Sequence, residues 1–172
     1  FPGINITTKA IRSYSSGSLA SHILGYVGKI NEKELKGKEE IYGLNDIIGK
    51  IGIEYIMEDY LKGKNGIKQI DMAVDGTITA EVIAEEAVGG SDIVLTIDSK
   101  LQKIVEDQLE ANIEKIRSGG FGKAYDAKGG SCVVMNVKTG EVLAMASYPD
   151  YNPQSFANGI SSEEWKSYSE NT

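Results

Sequence analysis

The chain is poor in the side chains that most often build reactive centres. Its 172 residues hold one cysteine, one histidine and two arginines, Arg12 and Arg117. A lone Cys132 permits no internal disulfide and fits either a cytosolic protein or a disulfide-free extracytoplasmic one. His22 has no second histidine or nearby cysteine, which argues against an ordinary zinc site, so a structural, hydrogen-bonding role is expected. Positive charge is scarce too: 18 Lys and Arg against 25 Asp and Glu leave a net charge of −7, which argues against a nucleic-acid binder. No apolar run approaches the ~20 residues of a membrane-spanning helix, and no secretory leader is recognisable. The ends, Phe1-Pro2-Gly3 and Asn171-Thr172, read as cuts in a longer chain. No cofactor and no metal are expected.

What is present is organised around Gly129 to Pro153. Two apolar runs, Cys132–Val137 and Val142–Ala146, flank the polar turn Lys138-Thr139-Gly140. Their nearly continuous apolar character predicts strands buried on both faces. Gly140 suits the left-handed position that closes a short hairpin loop.

Upstream, Ile4, Ile6 and Thr8 alternate as in a short strand, and Asn5-Ile6-Thr7 matches the glycosylation pattern, a frequent chance match. Ser18 is placed to cap a helix over Leu19 to Leu24, and Gly25 to Ile30 predicts a strand with glycine breaks. Asn31 with Glu34 is a capping-box pair opening a helix through Lys36. Glycine-bounded polar sequence follows to Gly49. Ile51 to Leu61 predicts one helix with Ile53, Ile56, Met57, Tyr60 and Leu61 on its apolar stripe, stopped by Gly63. Ile67 to Val74 and Thr77 to Ala84 predict a hairpin turned at Asp75-Gly76. Gly89-Gly90-Ser91 marks a domain boundary, followed by a buried strand, Ile93 to Ile97. Ser99 with Gln102 predicts a cap for a long helix with Leu101, Ile104, Val105, Leu109, Ile113 and Ile116 on one stripe and its charges on the opposite, solvated face. A mobile, glycine-rich connection over Ser118 to Gly130, an irregular loop over Pro149 to Ile160, and a helix from Ser161 or Ser162 to near Tyr168 complete the reading.

Three blocks resemble the class B penicillin-binding proteins, the monofunctional D,D-transpeptidases of bacterial cell-wall synthesis. The first is Arg12-x-Tyr14-x-x-Gly17-x-x-Ala20-Ser21-His22-x-Leu24-Gly25-Tyr26-Val27-Gly28, with Ser15 where the family usually has proline. The second is Gly49-x-x-Gly52-Ile53-Glu54, running on to Leu61, Gly63 and Gly66. The third is Leu95-Thr96-Ile97-Asp98-x-x-Leu101-Gln102, continuing into Lys138 to Pro149. The Pro149-to-Ser161 segment is similar to the elongation-type branch of the family. Lys138-Thr139-Gly140 copies a signature of penicillin-interacting enzymes. Yet no serine has a lysine three places on, and Ser169-Glu170-Asn171 follows K-T-G where its counterpart precedes it. K-T-G is therefore read as a turn.

The resemblance implies an α+β fold: a pedestal, or dimerisation, domain of small mixed sheets and helices over residues 1–90. The first strand, long helix and hairpin of an incomplete α/β transpeptidase domain follow over 91–172. It implies that the nucleophilic serine and its lysine lie downstream of Thr172, so no catalytic residue is assigned. Arg12, Gly17, His22, Gly25, Gly28, Gly52, Glu54, Gly63 and Gly66 are the expected structural pedestal motif. Expected partners of the parent are peptidoglycan stem peptides, β-lactams, a membrane glycan polymerase and rod-shape scaffold proteins, with a possible homodimer. The expected place is the extracytoplasmic face of the bacterial cytoplasmic membrane, through an N-terminal anchor absent from this chain. The alternative is a free-standing interaction module without a catalytic parent. Glu54, set among Ile53, Ile56 and Met57, needs a partner if it is buried, and Arg12 offers a planar, permanently charged one.

Overall fold

The computed structural model describes residues 11–170 apart from Asp75 and Thr77. The expected strand and glycosylation pattern over residues 4–8 lie outside the described residues. The architecture is α+β, with three two-stranded antiparallel sheets among the described residues.

The N-terminal part forms α1 (Ser21–Leu24), β1 (Val27–Lys29), α2 (Glu32–Leu35), β2 (Ile47–Gly49), α3 (Gly52–Ile56) and α4 (Glu58–Leu61). Helix α1 starts later than expected. Ser18 gives only its carbonyl to the Ser21 N–H, and Ala20, in a left-handed conformation, precedes the first turn. The Asn31 capping box forms, with Glu34 bonding back to the Asn31 N–H at 2.8 Å. Strand β2 lies in the segment expected to be merely polar. It pairs with β1 through Val27–Gly49, Gly28–Ile48 and Lys29–Ile47, and it is too short to show a period of two. Ile30, Tyr42 and Ile48, with Leu35 against them, make a small core beside this sheet.

The single helix expected over 51–61 is two helices broken at Met57, whose N–H reaches back to Ile53 while Tyr60 and Leu61 bond to its carbonyl. Ile56 and Tyr60 of the expected stripe are exposed, on either side of the break. Strands β3 (Ile67–Met72) and β4 (Ile78–Glu85) form the expected hairpin, with every residue of both strands exposed.

The C-terminal part holds α5 (Ser99–Arg117), β5 (Gly130–Met135), β6 (Val142–Tyr148), α6 (Pro153–Ala157) and α7 (Ser162–Glu170). Asp98, rather than Ser99, caps α5, accepting from the Lys100 and Leu101 N–H groups at 2.9 Å. The expected strand at Ile93 to Ile97 does not form, and the segment bends at Thr96. Only Thr96 Oγ1 and the Asp98 N–H reach β6, at the Val142 and Leu143 carbonyls, and Val94 is exposed. The hairpin is buried on one face, not two. Ala144 and Ala146 vanish beneath α5, while Val133 and Met135 face outward, because α5 is the main layer packed on this sheet, with α1 only touching β6. Arg117 ties the glycine-rich connection back to α5 through the Ala127 and Lys128 carbonyls. The supposedly irregular Pro149-to-Ile160 loop contains α6, with Asn152 as cap and Pro153 in its first turn.

Gln102 decides how α5 sits on the sheet. Its fully buried amide accepts from the Met145 N–H at 2.7 Å and donates to the Met145 carbonyl at 2.8 Å, as a neighbouring strand would. Its amide nitrogen also donates to Glu106 at 2.7 Å. Gln102→Leu keeps the volume but leaves both Met145 groups unpaired. A loss of about 1–3 kcal/mol in urea unfolding is expected, and an unchanged midpoint would remove the amide from the fold's energetics.

Candidate functional site

Four of the residues singled out from sequence, Arg12, Gly25, Gly52 and Glu54, meet where the Arg12–Tyr26 segment crosses α3. Arg12 Nη2 donates to Glu54 Oε2 at 2.9 Å, the pairing expected above. Glu54 is buried, with 9% of its side chain exposed, while 38% of the Arg12 side chain remains open to solvent. The carboxylate is satisfied on its other oxygen by a group the sequence reading passed over: the Tyr14 hydroxyl donates to Glu54 Oε1 at 3.1 Å. That hydroxyl also accepts from the Val27 N–H at 3.1 Å, so one phenol joins α3 to the start of β1. Burial, then the Glu54 charge, pushes the Tyr14 phenol well above its ordinary value.

Backbones approach closely around this network. Gly25 has φ 78° and ψ −158°, and a Cβ there would stand 1.9 Å from the Ile51 carbonyl oxygen. A Cβ on Gly52 would meet the Ile23 carbonyl at 2.6 Å, so the two glycines let α1 and α3 touch backbone to backbone. Gly63 and Gly66 do the same for the chain around Val88 and Ala87, Gly28 lies under the Lys50 side chain, and Gly17 turns in open space. The motif residues therefore fall in several places: Arg12, Gly25, Gly52 and Glu54 share one site, and the others serve neighbouring turns. His22 is a packing residue. Its Nε2 donates to the Pro149 carbonyl at 3.0 Å, and its ring meets Tyr151 edge-on at 5.1 Å.

Glu58 was also passed over, because on an exposed helix it reads as solvated. It accepts from the Tyr42 hydroxyl at 3.1 Å and from the Gly49 N–H at 2.8 Å. Burial, then Glu58, pushes the Tyr42 phenol up to about 12, and burial does the same for Tyr151, whose hydroxyl donates to the Ser21 carbonyl at 2.8 Å. These phenols bind their protons more tightly folded than unfolded. Their contribution is complete below pH 10.0, the ordinary tyrosine value, and is lost as pH climbs toward about 12. Of the nine tyrosines, Tyr14, Tyr42 and Tyr151 should therefore ionise late, together with unfolding, in an alkaline absorbance titration. Nine phenols titrating together in the folded chain would contradict this.

Lys138-Thr139-Gly140 is a hairpin turn. Asn136 accepts from the Lys138 and Gly140 N–H groups, Thr139 bonds to Glu141, and Gly140 has φ 79°. No serine–lysine pair accompanies it. Among the described residues no cluster of His, Cys, Asp and Glu could hold a metal, and no helix is long and apolar enough to cross a membrane.

Comparison with known proteins agrees with this geometry. The penicillin-binding protein dimerisation domain matches residues 1–95, and the penicillin-binding protein transpeptidase domain matches residues 130–171. The peptidoglycan D,D-transpeptidase MrdA of Acinetobacter baumannii is 33% identical over 172 residues, covering 99% of this chain and 23% of its own length. A solved peptidoglycan synthase complex that coordinates polymerization and crosslinking contains a chain 34% identical, with TM-score 0.75, over 92% of this chain and 27% of that one. Penicillin-binding protein 2 of Helicobacter pylori, solved with MreC, is 34% identical with TM-score 0.64, over 91% of this chain and 26% of its own. The chain thus spans about a quarter of the relatives it matches. With a dimerisation-domain match over more than half its length and the fold to go with it, the chain belongs to the class B penicillin-binding proteins.

Proposed function

We propose that this chain is the non-catalytic scaffold and partner-docking part of a peptidoglycan D,D-transpeptidase that cross-links cell-wall stem peptides and is a target of penicillin. The pedestal runs over residues 1–90 and the beginning of the transpeptidase domain over 91–172. The carrying observation is the dimerisation-domain match over residues 1–95 in a sequence without a serine–lysine pair in S-x-x-K spacing. Such chemistry needs a serine activated by an adjacent base, and Lys138 in its turn has no serine nucleophile to serve.

The similar structures with MreC and within a synthase complex support a docking role toward a membrane glycan polymerase and rod-shape scaffold proteins. An elongation role in cell shape, on the outer face of the cytoplasmic membrane through an anchor, belongs to the same reading. The nine motif residues keep the pedestal rigid for that docking. Incubation with fluorescent penicillin followed by a denaturing gel should give no covalent band, and stoichiometric labelling would overturn the non-catalytic half. Failure of the immobilised chain to capture purified polymerase or scaffold partner would overturn the docking half.

A further inference from the structure

The segment from Arg12 to Ser21 is held from two sides at once. Toward the N-terminal part it is held by side chains it shares with α3: Arg12 and Tyr14 on Glu54. Toward the C-terminal part, five contacts reach its backbone or the residue beyond it. Gln154 Oε1 on α6 accepts from the Tyr14 N–H at 2.8 Å, and Gln154 Nε2 donates to the Arg12 carbonyl at 3.3 Å. Glu106 on α5 accepts from the Ala20 N–H at 2.9 Å, the Tyr151 hydroxyl donates to the Ser21 carbonyl, and His22 donates to the Pro149 carbonyl. Tyr26 stacks on Phe156 with ring centres 4.0 Å apart.

The Gln154 amide engages the Arg12 and Tyr14 backbone as an adjacent strand would, at a place where no strand exists. Gln102 does the same to Met145 and passes the link through Glu106 to Ala20. Two helix-borne amides thus make the joint between the regions matched to the dimerisation and transpeptidase domains.

We propose that Arg12–Ser21 is a two-sided strap and that Gln154 is its positioning residue, locking the two matched regions into one cooperative body. The strap's purpose, carrying a load from a docked partner to the transpeptidase region, rests on the scaffold reading; the lock itself does not. A part-buried network whose members satisfy one another opens as a unit, whereas removal of its central member lets the flanking parts open separately. Gln154→Leu removes both strap bonds at similar size. Gln154→Glu keeps the acceptor for the Tyr14 N–H and loses the donor to Arg12.

The test follows urea unfolding of the whole chain by hydrogen exchange in peptides covering 21–30 and 142–157, without penicillin or partner. In the unmodified chain the two midpoints coincide. In Gln154→Leu they separate by about 0.5–1 M urea, and in Gln154→Glu by a smaller amount. Midpoints that stay together in Gln154→Leu, or lie apart in the unmodified chain, overturn the proposal, whatever the penicillin and docking assays return. Should Gln154→Leu not fold, Tyr151→Phe, which deletes one hydroxyl of the same joint, gives the same comparison on a smaller scale.

Discussion

Gly25→Ala should be the most damaging single methyl group that can be added to the N-terminal part. Gly25 combines φ 78° with ψ −158°, a region that is essentially glycine's alone, and strain there costs about 1–3 kcal/mol. The new Cβ would also stand 1.9 Å from the Ile51 carbonyl oxygen, which is backbone and cannot swing aside. Forcing α1 and α3 apart adds about 1–3 kcal/mol. The sum, about 2–6 kcal/mol, is a large fraction of the ~5–15 kcal/mol that holds a domain folded. Gly17→Ala is the matched control: its φ is 62°, but nothing lies within 4 Å of the added Cβ. It should lose only about 1–2 kcal/mol. Equal losses in urea unfolding would show that the α1–α3 contact is not what the glycine serves.

Glu54→Ala should follow closely, at about 2–4 kcal/mol. A fully buried pair broken on one side costs about 3–5 kcal/mol and an exposed one about 0–1. This pair lies between them, because Glu54 is buried and Arg12 is only half so. The Tyr14 hydroxyl loses its acceptor in the same substitution. Arg12→Ala should lose less, about 1–2 kcal/mol, since Tyr14 still satisfies one carboxylate oxygen. The double mutant should fall short of the sum by about 0.5–3 kcal/mol. Strict additivity would show that Arg12 and Glu54 touch without coupling.

These two sites also show what a sequence yields and what it withholds. The Arg12–Glu54 pair was legible because a carboxylate between apolar neighbours demands a partner and arginine was nearly absent elsewhere. Tyr14 was not, because a tyrosine near a strand reads as packing until its hydroxyl is located. The long helix, both hairpins and the Asn31 cap could be read from local patterns. The Met57 break could not, because the apolar spacing of Ile51 to Leu61 suits one continuous helix. Ile93 to Ile97 reads as a strand by composition, yet a strand exists only with a partner, and partners are set by tertiary structure. Gln102 read as a partner for a Ser99 cap and Gln154 as part of a loop, and neither pattern announces an amide that pairs with backbone, since a glutamine on an amphipathic helix is ordinarily solvated.

The joint between the two regions also bears on the order in which the chain acquires its structure. Its contacts link residues 86 to 142 positions apart, from Ala20 with Glu106 to Arg12 with Gln154. The β3–β4 and β5–β6 hairpins and the α5 helix need only short loops to close, and β1 meets β2 across a connection that carries α2. The entropy of closing a loop grows with its length and must be spent before a distant contact returns anything. The hairpins and α5 therefore form early and independently. The strap can reach Glu54 early, 42 positions away, but its bonds to Gln154 are the last to close, so a polypeptide leaving the ribosome carries an N-terminal part with an open flank until Gln154 has been made.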